Sequence, residues 1–350
     1  MMPVKCNITS KLGVKKTNIL KLYLINNTVI EKILRYNARN GAEPKLSKWF
    51  LDQLDHLITF QAFSKNADEL KDQIISDLVE YKDTHNINNI VLGMSGGIDS
   101  ALTAALFKEA GWTVTGVTLP INQNLEETAR GIEACEALGI EHIQVDLTDT
   151  YNAYLELATK DVDNKLFEQD FTDKAERVRA GNIRARLRMI TLYNLASLKG
   201  GIVGSTDNFS ELSAGFWTLH GDVGDVAPIQ SLSKSWEVPL LAEHLGVPKS
   251  IIEAIPTDGL GVDAGDEAQF GFSYLQFDIV LLSLLHPSQS VDSKFANASD
   301  EDNKIIEAVK SKIKETVYKR LNPVNLSHPI RGDALYGALS KLDNKLLKEV

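Results

Sequence analysis

Cysteine is nearly absent from this chain. There are two in 350 residues, Cys6 and Cys135, and no C-x-x-C pair. That excludes a zinc ribbon or a cysteine-held iron–sulfur cluster and suits a reducing, cytoplasmic compartment. Long apolar runs are missing as well. No stretch reaches the roughly 20 residues needed to cross a bilayer, and no signal-peptide pattern is present, so no membrane partner is expected. Aromatic residues make up only 7%, and positive charge is in deficit at a formal net charge of -10. An acidic chain poor in aromatics is not built for general nucleic-acid binding.

The charge is uneven. Residues 1–48 carry ten Lys or Arg against two Glu, a net of +8, which leaves -18 for the rest. Residues 1–60 read as a basic, peripheral extension, helical or partly disordered, with LSKWFLDQLDHLITF at helical spacing. The stretch KTNILKLYLINNTVI lacks the amphipathic stripe of a targeting peptide. An accessory structural role is expected of it instead.

The remaining length and an apolar content of 43% are enough for a sizeable core. ADELKDQIISDLVEYKDTH has helical periodicity. NNIVLGMS has strand length, IDSALTAALFKEAG is a helix closed by Gly111, and WTVTGVTLP is a second strand. NLEETARGIEACEALGI is a helix, EHIQVDLTD a third strand, GNIRARLRMITLYNLASLKG a long helix and GGIVGSTD a fourth strand. Strands alternating with helices predict an α/β fold, a parallel sheet flanked by helices, over residues 61–325. Strand order stays open. LLHPSQSVDSKFANASDED, polar and Ser/Asp-rich, reads as a mobile loop, and 326–350 as a C-terminal helical tail.

The chemistry concentrates where the first strand meets its helix, in MSGGIDS. Glycines let the backbone approach a ligand closely. A helix start directs free N–H groups at the same point, and Ser95 and Ser100 add hydroxyls. Ser95, Gly96 and Gly97 thus form a phosphate cradle. A Walker A loop is excluded because no Lys follows, and a dinucleotide fold by the glycine spacing. Asp99 would repel phosphate unless a cation lies between them, which implies Mg²⁺; the plainer alternative is a helix cap. A second constellation spans VGSTDNFSELSAGFWTLHGDVGDVAPI. Thr206, Asp207 and Asn208 follow a strand, Glu211 falls one turn beyond Asp207, and Asp222 and Asp225 sit in a glycine-rich loop. Lys234 is a candidate phosphate cation. Arg184, Arg186 and Arg188 alternate, so they cannot all share one helical face, and either of the first two is a phosphate candidate.

SGGIDS resembles the PP-loop of the ATP pyrophosphatase superfamily. The chain of GNIRARLRMITLYNLA, STDNFSEL, GFWTLHGDVGDVAPIQSLSK, IPTDGL and DEAQFGFSYLQFD, in that order, is similar to the NAD synthetase family over about residues 65–325. YKRLNP matches that family's basic C-terminal segment. The resemblance implies a Rossmann-like, adenine nucleotide α-hydrolase-like fold. It also implies ATP-dependent amidation of deamido-NAD by ammonia through an adenylate, giving NAD, AMP and pyrophosphate. The ATP and pyrophosphate contacts it implies are Ser95, Gly96, Gly97, Asp99, Ser100, Thr206, Lys234 and Thr257. Mg²⁺ falls to Asp99 and Glu211, the acceptor to Arg186, Asp222 and Asp225, and catalysis to Asp99, Asp222 and Lys234. Closure over the adenylate is expected from the stretch 287–303 and the loop after Pro256.

Ser205 stands where many members have Gly, Asn208 replaces a common His, and the Gly-Asp loop 221–228 is a residue short. Glutamine-using members carry a glutaminase domain of a few hundred residues, longer than the N-terminal extension. Free ammonia is therefore expected, with no separate glutaminase subunit, and the resemblance implies a homodimer. A tRNA-thiolation enzyme would need a basic surface or further cysteines. A nucleotide sensor without activity has no use for Asp99, Glu211 and Lys234 together.

Overall fold

The four short apolar runs become four parallel strands. The structure is a computed structural model that describes residues 28–39, 41–59, 66–159, 174–255, 267, 271–286 and 295–320. The strands are β1 (Asn89–Gly93), β2 (Thr113–Thr118), β3 (Glu141–Gln144) and β4 (Ile202–Val203), in the order β3-β2-β1-β4. Val91 of β1 pairs with Thr115 on one side and Val203 on the other. The chain winds outward from β1 through β2 to β3, then returns to lay β4 on the opposite flank. That reversal opens a crevice beyond the carboxyl ends of β1 and β4, where open α/β sheets bind ligands.

Alternation along the strands divides the core into two faces. Ile90 and Leu92 pack with α3 (Ala67–His85), α4 (Ile98–Glu109), α5 (Leu125–Leu138) and α9 (Glu237–His244). Val91, Val117 and Val203 pack on the other face with α6 (Thr148–Thr159) and α7 (Lys174–Leu198). Between β4 and α9 lies the short α8 (Phe209–Ala214), and α10 (Lys249–Ile252) follows α9.

The described part of the N-terminal extension is not peripheral. Its helices α1 (28–36) and α2 (Lys48–Thr59) bury Ile33, Phe50, Leu54, Leu57 and Ile58 in a third core. The partners are Trp236, α11 (Tyr274–Leu285) and α12 (Asp300–Glu315). Its basic residues are also engaged, with Lys32 and Arg35 on Glu243 and Arg39 on Glu267. Phe50 is fully buried there. Phe50→Ala is expected to cost about 3–5 kcal/mol in chemical unfolding; a cost under about 1 kcal/mol would mean that the extension is a loose appendage.

The loop expected before α12 ends earlier than the composition suggests. Ser299 caps α12 in a capping box with Asp302, so the Asp-rich end of that stretch is a helix start. Residues 287–294, the loop after Pro256 with Thr257, and the tail 326–350 lie outside the described residues. The last described helix is α13 (Val317–Arg320).

Candidate active site

The crevice is a cleft of about 480 Å³ lined from both loop systems. At its floor Gly97 starts α4 with no side-chain cap, so the first amides of that helix stay available to a ligand. Asp99 sits in the first turn and does not cap. The loop is self-bonded. The Gly97 amide donates to Ser95 Oγ at 3.2 Å, the two serine hydroxyls lie 3.2 Å apart, and Ser100 Oγ donates to the Gly97 carbonyl at 3.0 Å. Gly96 has φ +82°, and a Cβ there would overlap the Glu127 carbonyl of α5. Glycine is required at that point by both conformation and space. Arg130, also on α5, donates to the Gly96 carbonyl at 3.3 Å and lines the cleft.

α8 brings the second carboxylate across from β4. Asn208 caps it, with Glu211 closing the capping box. Lys234 then bridges the two elements, paired with Asp99 Oδ2 and, at 3.2 Å, with Glu211 Oε1. All three side chains are at most 14% exposed. Such burial makes the mutual pairing necessary, since an uncompensated charge here would be expensive. Asn208 and Ser205 each serve a carboxylate of the cleft. Asn208 Nδ2 donates to Asp99 Oδ1 at 3.0 Å, and Ser205 Oγ donates to Asp207 Oδ2 at 2.9 Å.

Asp207 is 6% exposed and lines the cleft. Burial, with the charge of Asp222 next, pushes its carboxyl up to about 7. Because the folded value lies above the ordinary 3.8, folding takes up a proton. The contribution to stability is whole below about pH 4 and is lost as pH rises through about 7. Asp207→Asn imitates the protonated form. Its advantage in melting temperature over wild type, both ligand-free, should be small near pH 4, grow to about pH 7 and then level off. A pH-independent difference would contradict that assignment.

Asp222 also lines the cleft, and the Thr218 amide donates to its carboxylate. Burial raises the Asp222 carboxyl, and Arg188 and Lys319 partly oppose the shift. Lys319 of α13 is lowered, chiefly by its own burial, and donates to the Gly215 carbonyl at 2.7 Å. Asp225 behaves differently. It accepts from Tyr193 Oη and from the Val203 amide, both at 2.9 Å, and so latches its loop to β4 and α7. Thr206 lines the cleft with the PP-loop residues.

Of the alternating Arg184, Arg186 and Arg188 on α7, the cleft receives Arg188, not Arg186. Arg188 donates to the Leu119 carbonyl at 3.0 Å and to Gln123 at 3.1 Å. Arg186 is exposed and bonds the Leu219 carbonyl, while Arg184 lies over the Tyr151 ring. The signal was present in the sequence. Ala185, Met189 and Leu192 are the buried stripe of α7, and position 188 meets it at two helical spacings, from Ala185 and to Leu192, where 186 meets it only at Met189.

Asp99 and Glu211 are a fitting pair for Mg²⁺. That ion is commonly held by one or two carboxylates, with substrate phosphates and water completing its shell. The ammonium of Lys234 already rests between the two acids, so the pocket is built to hold positive charge. Among the described residues no cluster of three or more His, Cys, Asp or Glu offers an all-protein metal cage.

Comparison with known proteins agrees with this geometry. The family model for NAD synthase matches residues 70–323. An NH3-dependent NAD synthetase of Alkaliphilus oremlandii is 38% identical over 217 residues, 61% of this chain and 85% of that protein. Among solved structures, the NMN synthetase of Francisella tularensis has a TM-score of 0.62 at 30% identity, covering 75% of this chain and 99% of its own. The NH3-dependent NAD synthetase of Campylobacter jejuni has a TM-score of 0.58 at 26% identity, covering 75% and 100%. Fold, cleft and matched sequence coincide, and this chain belongs to the NAD synthase family.

Proposed function

We propose that this chain is an ammonia-dependent NAD synthase, a carbon–nitrogen ligase that amidates deamido-NAD at the expense of ATP. The observation that carries this reading is the convergence of the PP-loop, Asp99, Glu211 and Lys234 at one end of a cleft. The same cleft holds buried Asp222, whose carboxylate feels the charges of Arg188 and Lys319. The names of the relatives from Alkaliphilus and Campylobacter support the same acceptor and nitrogen source.

The free amides at the start of α4 and the hydroxyls of Ser95 and Ser100 receive the ATP phosphates. The nicotinate carboxylate attacks the α-phosphorus and pyrophosphate leaves, forming a mixed anhydride with AMP. Ammonia then adds to the activated carbonyl, AMP departs and the amide remains. Lys234 supplies fixed positive charge on the pyrophosphate side. Asp222 faces the acceptor end, where an acid of raised pKa is suited to hold ammonium or to accept the proton that nitrogen must lose. When bound at Asp99 and Glu211, Mg²⁺ offsets the charge that builds on pyrophosphate. Thr206 is assigned to ATP. Arg188 takes the acceptor role first given to Arg186, and Asp225 acts on the acceptor by fixing its loop.

A homodimer belongs to the same reading. α7 exposes Ile190 (66%), Tyr193 (42%) and Leu198 (76%) on one side, and α6 adds Leu157 (72%). A second copy would cover that apolar surface. Ile190→Asp is expected to shift the sedimenting species from dimer to monomer; a wild-type monomer would overturn the assembly.

The activity is tested by supplying ATP, Mg²⁺ and deamido-NAD with either ammonium or glutamine. NAD with AMP and pyrophosphate from ammonium alone is the expected result. Nicotinate mononucleotide belongs in the same assay, because the Francisella neighbour is an NMN synthetase. A strong preference for the mononucleotide, or product from glutamine only, would overturn the assignment.

A further inference from the structure

The helix α11 carries a carboxylate that none of the chemistry above uses. Asp278 is 1% exposed. Neither of its oxygens pairs with a cation among the described residues; both accept from neutral donors. Ser210 Oγ donates to Oδ1, and the Ser235 amide donates to Oδ2 at 3.0 Å. Burying a carboxylate without a counter-charge is costly, and burial raises Asp278 to about 6. A neutral amide would lessen that cost but would set an NH2 donor where one of the two oxygens now accepts, so it cannot receive both donors in place.

What these donors hold explains the expense. Ser210 immediately precedes Glu211. Its hydroxyl oxygen also accepts the backbone amide of Lys234 at 2.9 Å. The amides of Lys234 and Ser235 are thus both tied to Asp278, one through Ser210 and one directly. One turn earlier on α11, Tyr274 places its ring 5.6 Å below the Lys234 ammonium. From the opposite side Asn37 Nδ2 donates to the Ser235 carbonyl at 2.8 Å. The backbone carrying Lys234 is therefore gripped at consecutive groups, which fixes where its ammonium meets Asp99 and Glu211.

We propose that Asp278 is a positioning residue for Lys234, acting through the Ser210 hydroxyl and the Ser235 amide. The proposal rests on the reading of Lys234 as the phosphate-side cation. It gives a role to the acid of the motif SYLQFD, Ser273–Asp278, whose Ser273 and Gln276 cap the start of α11.

The experiment measures binding of ATP with Mg²⁺ by calorimetry, with steady-state kinetics beside it, in Asp278→Asn, Lys234→Met and the double variant. Asp278→Asn is expected to weaken ATP about tenfold and to lower kcat. In the Lys234→Met background the same change should alter ATP affinity less than twofold, since a residue that acts through Lys234 has nothing left to position. Equal losses in both backgrounds would mean a general effect on the fold and would overturn the proposal. So would unchanged ATP affinity and kcat in folded Asp278→Asn. Should that variant fail to fold, Ser210→Ala cuts the same link from the other side and is read in the same way. Wild-type protein that binds ATP but forms no NAD would defeat the proposed activity, and ATP affinity would still decide this point. Wild-type protein that binds no ATP would overturn both.

Discussion

Asp99→Asn is expected to lower kcat about 10³-fold at saturating ATP and to shift the melting temperature by only a few degrees. The loss corresponds to roughly 4 kcal/mol of transition-state stabilisation. The reason is electrostatic. Asp99 shares Lys234 with Glu211 and receives Asn208 Nδ2 on its other oxygen. An amide keeps the shape but removes half of the negative charge that would bind Mg²⁺. Lys234 would then pair with Glu211 alone and sit deeper in the position the metal needs. Stability should change little, because the variant exchanges one buried charge for a neutral group and Lys234 keeps a partner. Steady-state kinetics across Mg²⁺ concentrations check this. A loss below tenfold would show that the Asp99 carboxylate is not in contact with the metal or the reacting phosphates.

Gly96→Ala should be nearly as damaging by a different route. The residue has φ +82°, where an L side chain is strained by about 1–3 kcal/mol. Its Cβ would also overlap a backbone carbonyl of α5, which cannot rotate away as a side chain can. Either the loop or α5 must move, and the loop is the phosphate cradle that α5 packs against. The expected outcome is at least a 10²-fold loss of ATP affinity and a lower urea midpoint. Gly97→Ala is the internal comparison. Gly97 has an ordinary extended φ of -92°, and its Cβ would meet only the Ser95 hydroxyl at 3.3 Å. Its effect should be several-fold smaller. Equal losses at the two positions would contradict the geometric account.

The contrast between these two glycines also shows where sequence reading stops. The cradle was legible, because apolar strand, glycine turn and helix follow one another within a dozen residues. α6 (Thr148–Thr159) was not read from the sequence, whereas all four strands, α4, α5 and the body of α7 were legible for the same reason. Their periodicities are local, and Gly139 closes α5 in a left-handed conformation as its place after the apolar run implies. Which glycine is indispensable was not legible, since that depends on α5 approaching from 30 residues away. Strand order was equally out of reach, as it depends on where β4 returns. The acids and Lys234 stood out by local chemistry before resemblance assigned their roles, yet the pairing of Asp99 with Lys234 joins residues 135 positions apart. Arg188 was missed because the motif drew attention to Arg186, although the buried stripe of α7 already favoured its neighbour.

The N-terminal extension has the helix expected at LSKWFLDQLDHLITF but is less peripheral than its composition implies. Its charges meet acidic partners on α9 and at Glu267, and its apolar residues enter the core beside α11. Composition records how much charge a segment carries and says nothing of which surface neutralises it. The extension falls outside the matched span 70–323, so resemblance offered no guidance. Its contact with the Ser235 carbonyl through Asn37 links it to the Lys234 loop.

The central claim is that ATP activates the nicotinate carboxylate by adenylation before ammonia displaces AMP. The most direct test supplies deamido-NAD labelled with ¹⁸O in that carboxylate, together with ATP, Mg²⁺ and ammonium, and follows the label by mass spectrometry. The account predicts one labelled oxygen per turnover in the phosphate of AMP, with none in pyrophosphate. Label in orthophosphate or pyrophosphate, or NAD formed without transfer of label to AMP, would contradict it.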